Sequence, residues 1–313
     1  MKDIQQPVQN WLDETDRLLE EQVKSGIGLI NKIIEVAPIY KGKKIRSTLL
    51  FLLSGMNGSF HPRLAEIAAS LEIFHLSSLI HDDVVDNSTL RRGKQTLHHN
   101  LGSDISVMWG DYLFIQAFNC INNLHVHALM SLILKSARLM VEGQLIEMEN
   151  TCNVDLAPET YYDIIGRKTA SLFAGVTHIP ALLTDLPPQT QERYYRFGMD
   201  FGVIFQVSDD MLDIFSDQSG KDRFRDLKEG KITLPYILLL KNRERHPEIR
   251  HALSQKDGER LLPFFHQFDI KDAVSKEVGV YWTRALEFIH SFPDSVYKAS
   301  MLQLLEFIAC REY

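Results

Sequence analysis

The 313-residue chain has three cysteines, Cys120, Cys152 and Cys310, scattered without Cys-x-x-Cys spacing. That excludes a disulfide framework and a cysteine-built zinc site, and it fits a reducing compartment. Positive charge is in deficit, 34 Lys and Arg against 41 Asp and Glu, for a net charge of −7. A general nucleic-acid or anionic-membrane binder is thereby disfavoured, and basic clusters must be read as local sites. No apolar run is free of charge for long enough to span a bilayer, and residues 1–7 lack the apolar core of a secretion signal. A cytoplasmic protein is expected. Alternating strand runs, low-complexity tracts and linkers are also missing, whereas helical periodicity recurs along the chain. A single all-α domain over residues 1–313 is expected, with its helices packed around a central cavity.

The acids that stand out lie inside apolar stretches. Leu79-Ile80-His81-Asp82-Asp83-Val84-Val85-Asp86 closes an apolar run over residues 67–85 that reads as one buried helix. Helical spacing puts Asp82 and Asp86 on one face a turn apart, with Asp83 roughly 100° round from Asp82. Carboxylates so placed repel one another and lose hydration, so a hard divalent cation is the natural counter-charge. The pattern recurs at Phe205-Gln206-Val207-Ser208-Asp209-Asp210-Met211-Leu212-Asp213. One such cluster can be a cap or a surface turn. Two together suit magnesium, which takes one or two carboxylates plus waters and substrate phosphates. A calcium loop fits poorly, because the alternating ligands, central Gly and closing Glu are absent.

Cations follow the acids. Tyr40-Lys41-Gly42-Lys43-Lys44-Ile45-Arg46-Ser47 is a basic turn before an apolar helix over residues 48–53, with a loop expected from Gly55 to His61 and Pro62 in the first turn of the next helix. It reads either as a solvated loop or as a diphosphate-binding turn at a helix start. Arg91 and Arg92 lie just past the first acidic cluster, where they either grip a phosphorylated ligand or neutralise the aspartates. Lys168-Thr169 lies in an apolar setting where a lysine ordinarily snorkels outward. Lys221 and Lys231 follow the second cluster.

In combination these motifs resemble the all-trans isoprenyl diphosphate synthases, the polyprenyl synthetases, nearly end to end. They are the two Asp-Asp-x-x-Asp clusters, Arg91-Arg92-Gly93, Lys168-Thr169, Phe205-Gln206 and Gly230-Lys231-Ile232-Thr233-Leu234-Pro235. The resemblance implies that the first cluster and Asp209 bind magnesium, three ions with substrate present, bridging an allylic diphosphate. Asp82 and Asp86 are then direct ligands. Asp83, Asp210 and Asp213 act around them, Asp213 being also a candidate ligand. It assigns Arg91, Lys168, Lys221 and Lys231 to the allylic diphosphate, and Lys43, Arg46, His75 and Arg92 to isopentenyl diphosphate. Thr169 and Gln206 are the expected dipoles for an allylic cation. A homodimer is expected from the family alone. Departures from the family pattern are Lys41 and Ser47 around the isopentenyl turn, Pro180 and Phe224 where glycine is usual, and Glu142-Gly143-Gln144-x-x-Glu147 with its Glu and Gln exchanged.

Small Ser77 and Ser78 stand just upstream of the first cluster, where short-chain enzymes often carry aromatics, and Phe74 lies one turn deeper. These imply a medium-to-long product, hexaprenyl to octaprenyl, with Phe74 as a candidate floor. The alternatives are a short-chain synthase, a subunit of a heteromeric synthase, and a class I terpene cyclase. The cyclase is disfavoured by the Asp-rich second cluster and by Lys43, Arg46 and Arg92.

Overall fold

In the computed structural model, residues 1–36, 42–91, 93–216, 223–242, 244 and 246–309 are described. Almost all are helical, which bears out the all-α reading. The strands among them are β1 (Leu90–Arg91) and β2 (Lys94–Gln95), an antiparallel pair turning through Gly93 at φ +74°, an element without a run long enough to show in the sequence. No helix among the described residues is long and apolar enough to cross a membrane. By its contacts the chain gathers into two compact units, the first formed by residues 1–132, 179–185 and 295–300, the second by residues 133–178, 186–294 and 301–313.

The first unit contains α1 (Gln9–Val23), α2 (Ile45–Met56), α3 (Leu64–Val85) and α4 (Ser103–Asn122). Leu49 through Leu53 of α2 are fully buried, so this helix is core on every side. The alanines of α3 are buried with Ile67, Leu71, Ile73 and Phe74, and small side chains among large ones let neighbouring helices approach closely. Gly55 belongs to α2, although a loop is expected from there. A Cβ at that position would lie 2.4 Å from the Tyr297 ring, so the glycine serves close packing and not a turn. Pro62 sits in the turn ahead of α3, which starts at Leu64.

Helix α5 (His127–Glu149) passes from the first unit into the second. There follow α6 (Pro158–Ile165), a π-helical turn (Gly166–Ala170), α7 (Ser171–Leu183), α8 (Pro188–Phe215), α9 (Arg225–Glu229), α10 (Leu234–Leu240) and α11 (Ile270–His290). Pro180 lies inside α7 and removes one amide from its ladder, while Thr184 donates back to the Pro180 carbonyl. Gly202 of α8 meets the π-turn directly, since a Cβ there would lie 2.4 Å from Ala170 Cα. Every residue of α10 is buried, in a core shared with Met211, Ile214 and Phe215 of α8. Each large side chain so placed contributes about 1.5–3 kcal/mol, so the elements carrying the second acidic cluster are firmly anchored.

Candidate active site

In the first unit, α3 ends at the first acidic cluster, as its apolar pattern predicts. Asp86 closes the helix, its N–H donating to the Asp82 carbonyl at 2.8 Å, so the two acids do stand one turn apart. Their neighbour Asp83 is turned inward and buried, and Arg91 Nε donates to its Oδ1 at 2.7 Å. Arg91 is thus paired with one acid of the cluster, while Asp82 and Asp86 stay partly accessible. Arg92 and Lys221 lie outside the described residues, as does Lys41.

The basic turn is held from both sides. Lys44 takes a left-handed conformation at φ +50° ahead of α2 and pairs with Asp16 of α1. Gln5 Nε2 donates to the Lys43 carbonyl at 3.0 Å and to Thr48 Oγ1 at 2.9 Å. The N–H and hydroxyl of Ser47 both donate to Glu72 Oε1, at 3.2 and 2.5 Å. Glu72 lies on α3 one turn before His75, so this contact ties the start of α2, with Arg46, to the turn carrying the histidine. A proline at position 47 would have no amide hydrogen to give.

Of the candidate chain-length residues, Ser77 is fully buried and donates to the Gly110 carbonyl of α4 at 2.8 Å. Its small size serves helix packing. Ser78 donates to the His75 carbonyl at 2.7 Å and is only partly buried. Phe74 is buried in a cluster with Phe114 and Phe118 of α4, at ring separations of 5.6 and 5.9 Å.

In the second unit, the π-turn presents Lys168 and Thr169, a conformation that re-aims side chains at functional positions. Helix α5 fits against it because Gly143 has no side chain, and a Cβ there would lie 2.5 Å from the Lys168 backbone nitrogen. Glu142 receives Arg167 Nη1 at 2.8 Å, and Glu147 receives Lys168 Nζ at 2.5 Å. The exchanged Glu-Gly-Gln-x-x-Glu pattern thus ends its second acid on the candidate diphosphate lysine.

Thr169 Oγ1 donates to Gln206 Oε1 at 2.8 Å, Gln206 Nε2 to Asp210 Oδ1 at 2.9 Å, and Tyr161 Oη to Asp210 Oδ2 at 2.6 Å. Burial pushes the Asp210 carboxyl up to about 7 against the pull of these two donors. Asp213 caps α9, its two oxygens accepting the Arg225 and Asp226 amides at 2.9 and 3.3 Å. Burial raises it to about 6, and burial with Asp213 and Asp210 nearby pushes Asp226 well above the carboxylate range. Asp209 is partly exposed on α8. Lys231 donates to Glu229 at 2.7 Å. Phe224 stands at φ +59°, which explains the usual glycine there, and its ring is buried against Gly258.

A cavity of about 110 Å³ is lined by Glu147, Tyr161, Lys168, Thr169, Gln206, Asp210 and Lys231, among others. Among the described residues no three acids or imidazoles converge as an all-protein metal cage. Tyr161, Asp226 and Glu72 escaped the sequence reading. Their contacts join residues 49, 13 and 25 positions apart, and no spacing signal links such positions.

A family model described as polyprenyl synthetase matches residues 28–261. Octaprenyl diphosphate synthase of Escherichia coli K12 is 30% identical over 308 residues, covering 93% of each chain. Short chain isoprenyl diphosphate synthase of Methanothermobacter thermautotrophicus is 33% identical, covering 87% of this chain and 83% of its own. The crystal structure of a polyprenyl synthase from Caulobacter crescentus CB15, complexed with calcium and isoprenyl diphosphate, superposes with a TM-score of 0.91 at 26% identity. It covers 99% of this chain and 97% of its own.

Proposed function

The chain belongs to the polyprenyl synthetase family of prenyltransferases, and on that premise we propose that it condenses isopentenyl diphosphate with an allylic diphosphate to give a medium-to-long all-trans polyprenyl diphosphate. One observation carries the reading. A single cavity brings two lysines suited to an anionic diphosphate beside Thr169 and Gln206, whose oxygens are aligned by a buried carboxylate.

The donor set suits magnesium. Its candidate ligands, Asp82, Asp86, Asp209 and Asp213, are partly accessible carboxylates, the donors suited to an ion that keeps waters and substrate phosphates around it. Bound there, three such ions would neutralise the diphosphate as it leaves. Lys168 and Lys231, already aimed by Glu147 and Glu229, add fixed positive charge to the allylic diphosphate, together with Arg91 and Lys221. Lys43, Arg46, His75 and Arg92 hold isopentenyl diphosphate. Departure of pyrophosphate makes an allylic cation, which faces the oxygens of Thr169 and Gln206. The isopentenyl double bond attacks it, and the proton then passes to pyrophosphate. Surrounding apolar side chains exclude water from the cation.

For product length we hold to hexaprenyl through octaprenyl, with Phe74 and its two phenyl neighbours as the floor. Phe74→Ala is expected to lengthen the product by at least one isoprene unit, read by sizing dephosphorylated products. The truncation will also cost about 3–5 kcal/mol of stability, so the assay belongs at low temperature. An unchanged ladder would remove Phe74 from this role.

We further propose a cytoplasmic homodimer. On α5, Leu134, Val141, Leu145 and Met148 recur at helical spacing and are each at least half exposed, an apolar stripe suited to a second copy. The direct test of the reaction is elongation, with purified protein, magnesium, farnesyl diphosphate and labelled isopentenyl diphosphate. A ladder ending at six to eight units is the expected result. Termination at geranylgeranyl length would make it a short-chain enzyme, and no incorporation would point to a farnesyl-length enzyme, a missing partner subunit or a cyclase.

A further inference from the structure

Tyr161 lies on α6, seven residues before Lys168 and 49 positions from its contact on α8, yet it is 3% exposed and lines the cavity. The hydroxyl has one partner worth naming, Asp210 Oδ2 at 2.6 Å. Asp210 is itself 2% exposed, and its other oxygen takes the Gln206 amide at 2.9 Å. In its ionised form the Asp210 carboxyl accepts and does not donate, so two donors facing its two oxygens fix which end of the neighbouring amide points at it. Gln206 must offer nitrogen to Asp210, and its carbonyl oxygen is then turned to Thr169, which donates to it at 2.8 Å. That donation in turn points the lone pairs of the Thr169 oxygen away from Gln206.

We propose that Tyr161 is a positioning residue for the condensation, holding Asp210 so that Gln206 and Thr169 present oxygen, and not hydrogen, to the developing allylic cation. The inference rests on the proposed reaction. Its effect passes through Asp210 and Gln206. Without the hydroxyl, Asp210 Oδ2 loses its donor in a buried site, and the carboxylate is free to rotate toward a replacement. The Gln206 amide then loses its fixed partner and samples the flipped state, in which an N–H dipole opposes positive charge. Such a dipole acts on the transition state and scarcely on the bound diphosphates, so turnover should fall while both KM values hold.

The test is a double-mutant cycle on the full-length protein, comparing Tyr161→Phe, Gln206→Ala and the pair in the elongation assay with magnesium, farnesyl diphosphate and isopentenyl diphosphate. Tyr161→Phe alone is expected to lower kcat about 10- to 100-fold, less than loss of a donor in direct contact, with each KM within about twofold. In the Gln206→Ala background the same substitution should change kcat by less than about twofold, because its route of action is gone. A merely structural tyrosine would lose as much in both backgrounds, and that additivity would overturn the proposal. So would an unchanged kcat or a change confined to KM. Thermal unfolding of the same four proteins without substrate gives a separate readout, in which coupling between positions 161 and 206 is expected. If the wild-type chain fails to elongate, the reaction assigned above fails, whereas unfolding without coupling rejects the hydrogen-bond relay itself.

Discussion

Asp82→Ala is expected to leave a folded protein whose elongation turnover is lower by about three orders of magnitude or more. A metal ligand at the leaving diphosphate supplies several kcal/mol of charge stabilisation, and each 1.36 kcal/mol is about tenfold in rate. Asp82 is partly exposed at the end of α3, so its loss opens no cavity. The unfolding midpoint should therefore shift little. Its neighbour gives the opposite phenotype. Asp83 is buried on Arg91, and Asp83→Ala strands a guanidinium, at about 1–3 kcal/mol of stability. Steady-state rates with scanning calorimetry on both variants decide the matter. An Asp82→Ala enzyme retaining more than a tenth of its turnover would remove that residue from the metal site.

Gly143→Ala sets two effects of opposite sign against each other. In an exposed helix, alanine for glycine adds about 1 kcal/mol of stability. Here the added methyl would stand 2.5 Å from the Lys168 nitrogen and 2.9 Å from Arg167 Cβ, and the first of these is backbone that cannot rotate away. Overpacking of this kind costs about 1–3 kcal/mol, so a net loss is expected. The larger consequence is catalytic. Pushing the π-turn back by about 1 Å displaces Lys168 and Thr169 together, and misplacement on that scale costs about 100-fold in rate. Rates and melting curves for Gly143→Ala beside Glu147→Gln separate the two contributions, because the second variant removes the ion pair and keeps the packing. A stabilised, fully active Gly143→Ala enzyme would mean that the turn yields freely.

The helices were legible wherever periodicity could speak. The runs ending in Asp82-Asp83-x-x-Asp86 and Asp209-Asp210-x-x-Asp213 are helices within a few residues of the boundaries that pattern predicts. Gly55 misled because glycine marks a loop by its freedom and a packed helix by its smallness, and only the Tyr297 ring distinguishes the two. At the site, the residue types were readable but their division of labour was not. Asp82, Asp83 and Asp86 look alike in a motif, yet one is turned onto Arg91 and two are left accessible. Asp213, a candidate ligand by its motif, also caps α9 with its two oxygens, which the motif does not show. The π-turn was invisible, since one extra residue in a helix shifts phase without changing composition.

The bond from Ser47 to Glu72 bears on how this chain can drift. Glu72 Oε1 accepts both the amide and the hydroxyl of one residue, so proline at position 47 would strip away two donors at once and leave a partly buried carboxylate facing an apolar ring. Substituting Glu72 alone orphans the serine just as surely. Neither position can change alone without weakening the start of α2, so the two are entrenched as a pair, and a chain with serine at 47 should retain an acceptor at 72.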